Sequence, residues 1–157
     1  VSDELTFKLL KKKLSNTECR NGFILDGYPR SINQVKYLDN ITSIDFVIEI
    51  DISNREAVRR IENRRICDKC GSAYDLKIFP PKKEGVCDKC KGNIIRRADD
   101  YPEAIKKGLM IYRNEVRPIL RFYKKRKLLI KINGLDTVEN ISQKIKEEII
   151  KRISEIM

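Results

Sequence analysis

The stretch GFILDGYPR, residues 22–30, is the part of the sequence that decides the fold. Gly22 to Leu25 form a short apolar run, which is typical of a buried strand, and the glycine and proline that follow mark a turn at its end. The polar residues Asp26 and Arg30 would then face whatever lies beyond the end of the strand. The pattern therefore predicts a strand that leads directly into a ligand-facing turn.

Strands and helices are expected to alternate on either side of this turn. Ser2 is expected to cap an opening helix, and a short helix is expected near residues 31–40. Residues 46–50 and 128–132 read as further strands. Other helices are expected to begin at Ser53, at Asp99 and Asp100, and at Asp136. This alternation predicts an α/β fold with a parallel sheet covered by helices on both faces and with ligands at the carboxyl ends of its strands.

Three features of the predicted helices are specific enough to compare with a structure. Ser53 and Glu56 form the capping-box pattern of a helix that runs through Arg65. Pro118 is expected to kink the long helix that follows Asp100. The last helix carries an apolar stripe that is expected to face the core, formed by Val138, Ile141, Ile145, Ile149, Ile153 and Ile156.

A small module interrupts the alternation between about Ile66 and Arg96, where no helical period is present. Four of the five cysteines lie there as two Cys-x-x-Cys pairs with 16 residues between the pairs. These are Cys67, Cys70, Cys87 and Cys90. Four thiolates at this spacing can close a tetrahedral shell around zinc without an open position for substrate, so the predicted zinc site is structural. Disulfides are the alternative reading, and an intracellular chain disfavours them.

The composition is strongly basic, with 34 lysines and arginines against 23 acidic residues, a formal net charge of +11 and no histidine. An anionic partner such as a nucleotide, a nucleic acid or an acidic lipid fits this charge, and a general bias toward basic residues is the alternative. No apolar run approaches the roughly 18 residues that a membrane span needs. We expect a soluble, cytoplasmic protein, and we interpret the start at Val1 as a sign of a truncated or processed product.

Arginines bracket the cysteine module. Arg60 and Arg64 are expected one turn apart on the same helix face, and Arg97 follows the second cysteine pair. Planar guanidinium groups suit phosphate oxygens, so a hinged insert would bring them onto a polyphosphate. A solvated basic face explains the same spacing equally well. Arg30 is better placed for a ligand, because the neighbouring glycine and proline fix it at a strand end.

The sequence from Asp26 to Arg30, followed by Gln34, resembles the Asp-Gly-aromatic-Pro-Arg signature of adenylate kinases. The segments CRNGF (residues 19–23), RRIC (64–67) and RADD (97–100) also resemble the zinc-lid branch of that family in order and spacing. The resemblance covers essentially the whole chain. It implies a P-loop-type nucleoside monophosphate kinase core with a small zinc-binding lid. The implied activity is reversible phosphoryl transfer from ATP to AMP to give two ADP, with magnesium.

The resemblance also implies roles for individual residues. The AMP site would comprise Val1, Gly27, Tyr28, Pro29, Arg30, Gln34 and Arg97, with Arg30 on the phosphate and Gln34 on the adenine. The ATP site would comprise Arg60, Arg64, Tyr74 and Asp136. Catalysis would rest on Arg30, Arg64, Arg97 and Asp26, the last of them near the magnesium and its waters. Phosphoryl transfer asks mainly for positioning and charge neutralisation, which arginines supply.

By this resemblance we expect three segments: residues 1–65 as core with the AMP-binding turn, residues 66–97 as the zinc lid, and residues 98–157 as core. The family's phosphate-binding loop would precede Val1, and the 157 residues contain no Gly-x-x-x-x-Gly-Lys. We therefore expect negligible phosphoryl transfer by these residues alone. A second departure is Gly108, where the family usually carries an arginine that contacts phosphate.

Two other functions stay open on the sequence alone. One is a catalytically dead, adenylate-kinase-like protein that still binds nucleotides. The other is a zinc-ribbon nucleic-acid binder, which is disfavoured because Tyr74 and Phe79 are the only aromatic residues of the module that suit base stacking. The amide of Gln34 suits adenine on the acceptor side, whereas the donor is either ATP or GTP. A monomer is expected, as is usual for the family.

Overall fold

The computed structural model of the protein describes residues 2–156. It divides into two compact units, Val1–Asp51 with Ile111–Met157, and Ile52–Met110. The elements in chain order are α1 (Asp3–Leu14), a 3-10 turn (Thr17–Cys19), α2 (Ile32–Asp39), β1 (Val47–Asp51), α3 (Asn54–Asn63), β2 (Arg64–Cys67), β3 (Ala73–Asp75), β4 (Ile94–Ile95), α4 (Pro102–Ile111), a π-helical turn (Tyr112–Val116), α5 (Arg117–Lys125), β5 (Leu129–Asn133) and α6 (Val138–Ile156). Val1, a predicted AMP contact, lies outside the described residues.

The first unit is built on a parallel pair of strands, which confirms the predicted α/β class. Strand β1 pairs with β5 from Val47 opposite Leu129 onward. A buried core of this unit consists of Val35, Ile119 and Tyr123, and Val47 of β1 packs against it. Helices α5 and α6 both contact β5. Helical cover is incomplete over β1, because its residues Ile48 and Ile50 remain 38% and 52% exposed.

The strand predicted at residues 22–25 is not formed. The segment is irregular, and the side chain of Ile24 is 95% exposed. Its backbone hydrogen bond, from Gly22 N–H to the Cys19 carbonyl at 3.2 Å, belongs to a turn. A strand exists only where a neighbour accepts and donates backbone hydrogen bonds, and in residues 2–156 no strand pairs with this segment. The prediction was wrong because apolar character alone does not supply that neighbour.

The second unit contains a three-stranded antiparallel sheet in the order β3-β2-β4, in agreement with the small module without helical period that the sequence predicts. Helix α3 ends at Asn63, and Arg64 is extended with φ −65° and ψ 136°. It is extended because Arg64 and Arg65 belong to β2 and pair with β3. The predicted helix through Arg65 was therefore wrong, and Arg60 and Arg64 do not share a helical face.

Side-chain caps begin two of the helices where the sequence predicted them. Ser2 Oγ accepts a hydrogen bond from Leu5 N–H at 3.4 Å, and Ser53 Oγ accepts one from Glu56 N–H at 3.2 Å. The long helix is interrupted just before Pro118 by the π-helical turn. Pro118 has no N–H to donate, so a regular helical hydrogen bond is missing there. The expected kink itself stays a prediction.

The apolar stripe of α6 is only partly covered. Ile141, Ile145 and Ile149 are half-buried, whereas Val138 is 75% and Ile153 43% exposed. The prediction of a core-facing stripe therefore holds for the middle of the helix and fails at Val138 and Ile153. No helix among the described residues is long and apolar enough to cross a membrane.

Candidate nucleotide and metal sites

The predicted AMP-binding residues of the first unit lie in one tight turn. Gly27 has φ 71°, in the left-handed region that favours glycine, and the Tyr28–Pro29 peptide bond is cis. Arg30 Nε donates a hydrogen bond to the Gly27 carbonyl at 2.7 Å. A Cβ atom at residue 27 would lie 2.8 Å from a guanidinium nitrogen of Arg30. The backbone conformation therefore favours glycine at position 27, whereas a Cβ atom there would only require the flexible end of the Arg30 side chain to shift.

Gln34 connects this turn to helix α1. Its Oε1 accepts a hydrogen bond from the Arg30 N–H at 2.6 Å, and its Nε2 donates to Asp3 Oδ1 at 2.7 Å. The Tyr28 hydroxyl donates to the Gln34 carbonyl at 3.3 Å. The structure thus brings Tyr28, Arg30 and Gln34 into one hydrogen-bonded group. Asp26 is exposed beside this group. Asp3 was missed, because its sequence signal was only that of an acid in the first turn of a helix.

Two predicted phosphate-binding arginines of the second unit are held by neighbouring carboxylates. Arg64 forms a bidentate pair with Asp100, including a hydrogen bond from Nε to Oδ2 at 3.0 Å. Asp100 is fully buried, and its hydrogen bond with Arg64 holds the pKa of the carboxyl below its usual value. Arg97 pairs in the same bidentate manner with exposed Asp99, at 2.9 and 2.8 Å. Each guanidinium is therefore oriented before any ligand arrives.

Arg60, a predicted ATP contact, lies on helix α3. Its Nε donates to Glu56 Oε1 at 2.7 Å, and the same carboxylate accepts two hydrogen bonds from Arg59. The hydrogen bonds from Arg59 and then Arg60 lower the pKa of Glu56 to about 2. Glu56 therefore orders two arginines of the helix that precedes the lid.

Asp136, another predicted ATP contact, organises the start of α6. Its Oδ1 accepts hydrogen bonds from Thr137 N–H and Asn140 Nδ2, both at 2.8 Å, and its Oδ2 binds Lys144 Nζ at 2.7 Å. The hydrogen bond from Lys144 is the largest cause that lowers the pKa of Asp136 from 3.8 to about 2. The charged carboxylate is thus the form that the folded chain prefers.

This contact predicts how the stability of the first unit depends on pH. A carboxyl whose pKa falls on folding contributes stability above its unfolded pKa and loses that contribution as the pH falls through the folded pKa. We expect Asp136→Asn to lower the free energy of unfolding in urea above pH 5 and to approach wild type between pH 4 and pH 2. Asp45→Asn, at an exposed position without a recorded hydrogen bond, is the control. A difference between Asp136→Asn and wild type that stays constant down to pH 2 would contradict the assignment.

Gly108 lies on α4, and a Cβ atom at this position would meet no atom within 4 Å apart from its chain neighbours and the backbone of its own helix. The backbone of the described structure therefore leaves space for a larger side chain there. Steric crowding therefore does not require glycine at position 108. Compared with the arginine that the family resemblance leads us to expect there, Gly108 lacks a positive charge.

The four cysteines of the two pairs converge in the second unit. Their sulfur atoms all lie within 4.8 Å of one another, with 3.4 Å between Cys67 and Cys90 and 3.6 Å between Cys70 and Cys87. These distances are too long for disulfide bonds of about 2.0 Å. Four sulfurs bound tetrahedrally at about 2.3 Å from one zinc ion would lie about 3.8 Å apart. The cluster therefore fits a four-thiolate metal site.

Two turns of the same kind present these sulfurs. Gly71 N–H donates to the Cys67 carbonyl at 3.0 Å, and Lys91 N–H donates to the Cys87 carbonyl at the same distance. Gly71 and Lys91 both have positive φ, at 70° and 60°. A Cβ atom at Gly92 would come within 2.9 Å of Cys67 Sγ. The glycines of the lid thus allow the backbone to fold closely around the sulfur cluster.

Tyr74, the predicted ATP contact in the lid, lies against this cluster. Its side chain is buried, and its hydroxyl lies 3.3 Å from Cys87 Sγ. This hydrogen bond lowers the pKa of Cys87 to about 6 and raises that of Tyr74. The contact of Tyr74 with ATP stays a prediction. Its contact with the cysteine cluster was not predicted, because the spacing of the cysteines does not indicate which hydroxyl group lies beside a sulfur atom.

Known proteins agree with these features. The profile of the adenylate kinase family matches residues 1–128. An adenylate kinase of Treponema denticola is 43% identical over 141 residues, which cover 90% of this chain and 68% of the relative. An adenylate kinase of Methanocella arvoryzae is 42% identical over 156 residues, covering 96% and 72%, and one of Oceanobacillus iheyensis is 39% identical over 157 residues, covering 97% and 73%.

The fold and the sequence relatives together define a phosphotransferase of the nucleoside monophosphate kinase class. Within that class, the chain belongs to the adenylate kinase family. The activity of this family is phosphoryl transfer between ATP and AMP. Membership in it disfavours the nucleic-acid-binding alternative.

Proposed function

We propose that this chain binds AMP through Gly27, Tyr28, Pro29, Arg30 and Gln34, together with Val1 and Arg97. In this proposal ATP is bound by Arg60, Arg64, Tyr74 and Asp136. Arg30, Arg64 and Arg97 neutralise phosphate charge during the transfer, and Asp26 lies near the magnesium ion. The observation that carries the proposal is the exposed side chain of Arg30, whose guanidinium donates to the Gly27 carbonyl within the turn. The backbone N–H of the same residue donates to the side chain of Gln34.

The resting contacts of Arg30 support a phosphate-binding role. Only its Nε makes a recorded side-chain hydrogen bond, and the acceptor is the neutral carbonyl of Gly27. The two terminal nitrogens of the guanidinium remain available in the part of the chain that the structure describes. A planar pair of N–H groups matches two phosphate oxygens, and hydrogen bonds of this charged kind are stronger than neutral ones. Gln34, whose amide oxygen accepts the hydrogen bond from Arg30 N–H, is the proposed contact of the base beside that phosphate.

The chemistry requires positioning and charge neutralisation more than a covalent nucleophile. Arginines on a turn and on the borders of a lid can supply both, because their charge persists at every physiological pH. A magnesium ion, when bound with the nucleotide, neutralises further charge on the donor phosphates. In the proposal Asp26 accepts hydrogen bonds from the water molecules of that ion. Arg64 and Arg97, at the borders of the lid, stabilise the phosphoryl group while it is transferred.

We also propose that the metal of the four-cysteine cluster is zinc and that its role is structural. Zinc binds four thiolates tetrahedrally, and a complete sulfur shell leaves no position for substrate. The division into core (1–65), lid (66–97) and core (98–157) belongs to the same proposal. A cytoplasmic monomer is the state that we propose for the protein.

The proposed AMP site is tested by Arg30→Ala. We expect AMP to bind about 10- to 100-fold more weakly, because one charge-assisted contact with phosphate contributes about 1.5–3 kcal/mol. Affinity is measured by isothermal titration calorimetry on the zinc-loaded protein, with Arg20→Ala as the matched control. Arg20 is exposed in the same unit and makes no recorded side-chain contact. Equal AMP affinity in wild type and Arg30→Ala would show that Arg30 does not bind the phosphate of AMP.

A coupled assay of ADP formation from ATP and AMP, on the natural full-length form, separates the two remaining functions. ADP formation supports the kinase. AMP binding without ADP formation supports the catalytically dead alternative. GTP in place of ATP in the same assay identifies the donor.

A further inference from the structure

Two hydroxyl groups in and next to strand β3 lie against sulfur atoms of the four-cysteine cluster. The Tyr74 hydroxyl is 3.3 Å from Cys87 Sγ, and Ser72 Oγ is 3.2 Å from Cys70 Sγ. Both contacts lie within hydrogen-bond distance for sulfur. The sulfur atoms of two predicted metal ligands thus each have a hydroxyl neighbour outside the ligand set.

The direction of the hydrogen bond at Tyr74 follows from its second partner. The hydroxyl oxygen accepts a hydrogen bond from Asp88 N–H at 2.9 Å. The hydroxyl proton is therefore free to point at Cys87, and a thiolate that binds a metal has no proton of its own to donate. Tyr74 is then the donor and Cys87 the acceptor.

Burial distinguishes the two hydroxyl groups. The side chain of Tyr74 is 8% exposed and belongs to the small core of the lid, together with Cys67 and Cys87. Ser72 is only half-buried, and its partner Cys70 is exposed. Water can replace the hydroxyl of Ser72 at an accessible sulfur, whereas it has little access to the position of the Tyr74 hydroxyl.

We propose that Tyr74 is a positioning residue of the metal site, whose buried hydroxyl holds the Cys87 sulfur in the orientation that the metal requires. This inference rests on the proposed zinc site and adds to it. A donor to a metal-bound thiolate fixes the direction of the sulfur lone pairs and stabilises its charge. Removal of such an outer partner typically lowers metal affinity about 10- to 100-fold.

The inference also gives Tyr74 a role that differs from its predicted contact with ATP. A contact with ATP changes nucleotide affinity and leaves the metal unaffected in the absence of nucleotide. A positioning role changes metal affinity without any nucleotide present. The test is therefore carried out in nucleotide-free buffer.

Tyr74→Phe removes the hydroxyl and retains the ring. We expect the zinc-loaded variant to release zinc to a chromogenic chelator about 10- to 100-fold faster than wild type, with a matching loss of affinity in competition titrations. Ser72→Ala should change release less than about 3-fold, because water takes the place of its hydroxyl. Tyr101→Phe is the matched control, since Tyr101 lies in the same unit, is 52% exposed and contacts Arg96 rather than sulfur.

Cobalt substitution supplies a readout that a purely structural effect would not change. The sulfur-to-cobalt charge-transfer bands should shift in Tyr74→Phe and stay unchanged in Tyr101→Phe, because only Tyr74 donates to a ligating sulfur. Equal zinc release and identical cobalt spectra in Tyr74→Phe and wild type would overturn the inference and leave the zinc site intact. A wild-type protein that binds neither zinc nor cobalt would overturn the zinc site and the inference together.

Discussion

Cys87→Ser is expected to abolish stoichiometric zinc binding and to unfold the small sheet of the lid. The buried core of this region consists of Cys67, Tyr74 and Cys87 with Ile94 packed against them. Two of these core residues are themselves predicted ligands, so the lid has little apolar packing that is independent of the metal. Binding of structural zinc contributes on the order of 10 kcal/mol to elements of this kind. The expected result is zinc content near zero by mass spectrometry and a separate, early unfolding transition on heating.

Cys19→Ser is the control for this experiment. Cys19 is the fifth cysteine, and its thiol donates to the Lys13 carbonyl at 3.4 Å in the other unit. Its replacement should leave zinc content and the unfolding of the lid unchanged. Full zinc content and an unaltered unfolding profile in Cys87→Ser would contradict the four-thiolate site.

Asp100→Ala is expected to destabilise the protein by about 2–3 kcal/mol. The carboxylate of Asp100 is fully buried and holds Arg64 in a bidentate pair. Removal of one member of a buried ion pair leaves the other charge without its partner, which costs about 3–5 kcal/mol when both groups are buried. The side chain of Arg64 is 37% exposed, so water recovers part of that energy and the expected effect is smaller.

The adjacent residue supplies the matched control. Asp99 also pairs bidentately with an arginine, Arg97, but its side chain is 61% exposed. Asp99→Ala should lower the free energy of unfolding by no more than about 0.5–1 kcal/mol. Chemical unfolding of both variants measures the difference. Equal effects at the two positions would show that burial of Asp100 does not govern its contribution.

Sequence reasoning predicted best where the signal is local. The two Cys-x-x-Cys pairs determine which sulfurs can converge, because the turn within each pair and the short connection between pairs leave few other arrangements. The serine caps of α1 and α3 are local in the same sense, since each joins residues three positions apart. The parallel pairing of β1 with β5 was predictable from the alternation of apolar runs with helices.

The failures concern residues whose structure depends on distant partners. Residues 22–25 have the composition of a strand but no strand beside them in the described chain. Arg64 continues a good helical pattern, yet pairing with β3 draws it into a sheet. The site partners Asp3 and Asp100 reach residues 31 and 36 positions away along the chain. Contacts at such separations arise from packing, which no local pattern encodes.

The proposed phosphate-binding residues Arg30 and Arg64 have partners of different charge in the structure. The two positions should therefore differ in how readily they bind small anions from the buffer. Arg30 rests on a neutral carbonyl, so a small anion such as inorganic phosphate can approach it without displacing a charge. Arg64, on the proposed ATP side, rests on the carboxylate of Asp100, which repels such ions. An anion must compete with the Asp100 carboxylate to reach Arg64, and a triphosphate brings more negative charge to that exchange than a single phosphate ion does. In the proposed enzyme, the Arg30 position is thus more open to inhibition by simple phosphate than the Arg64 position.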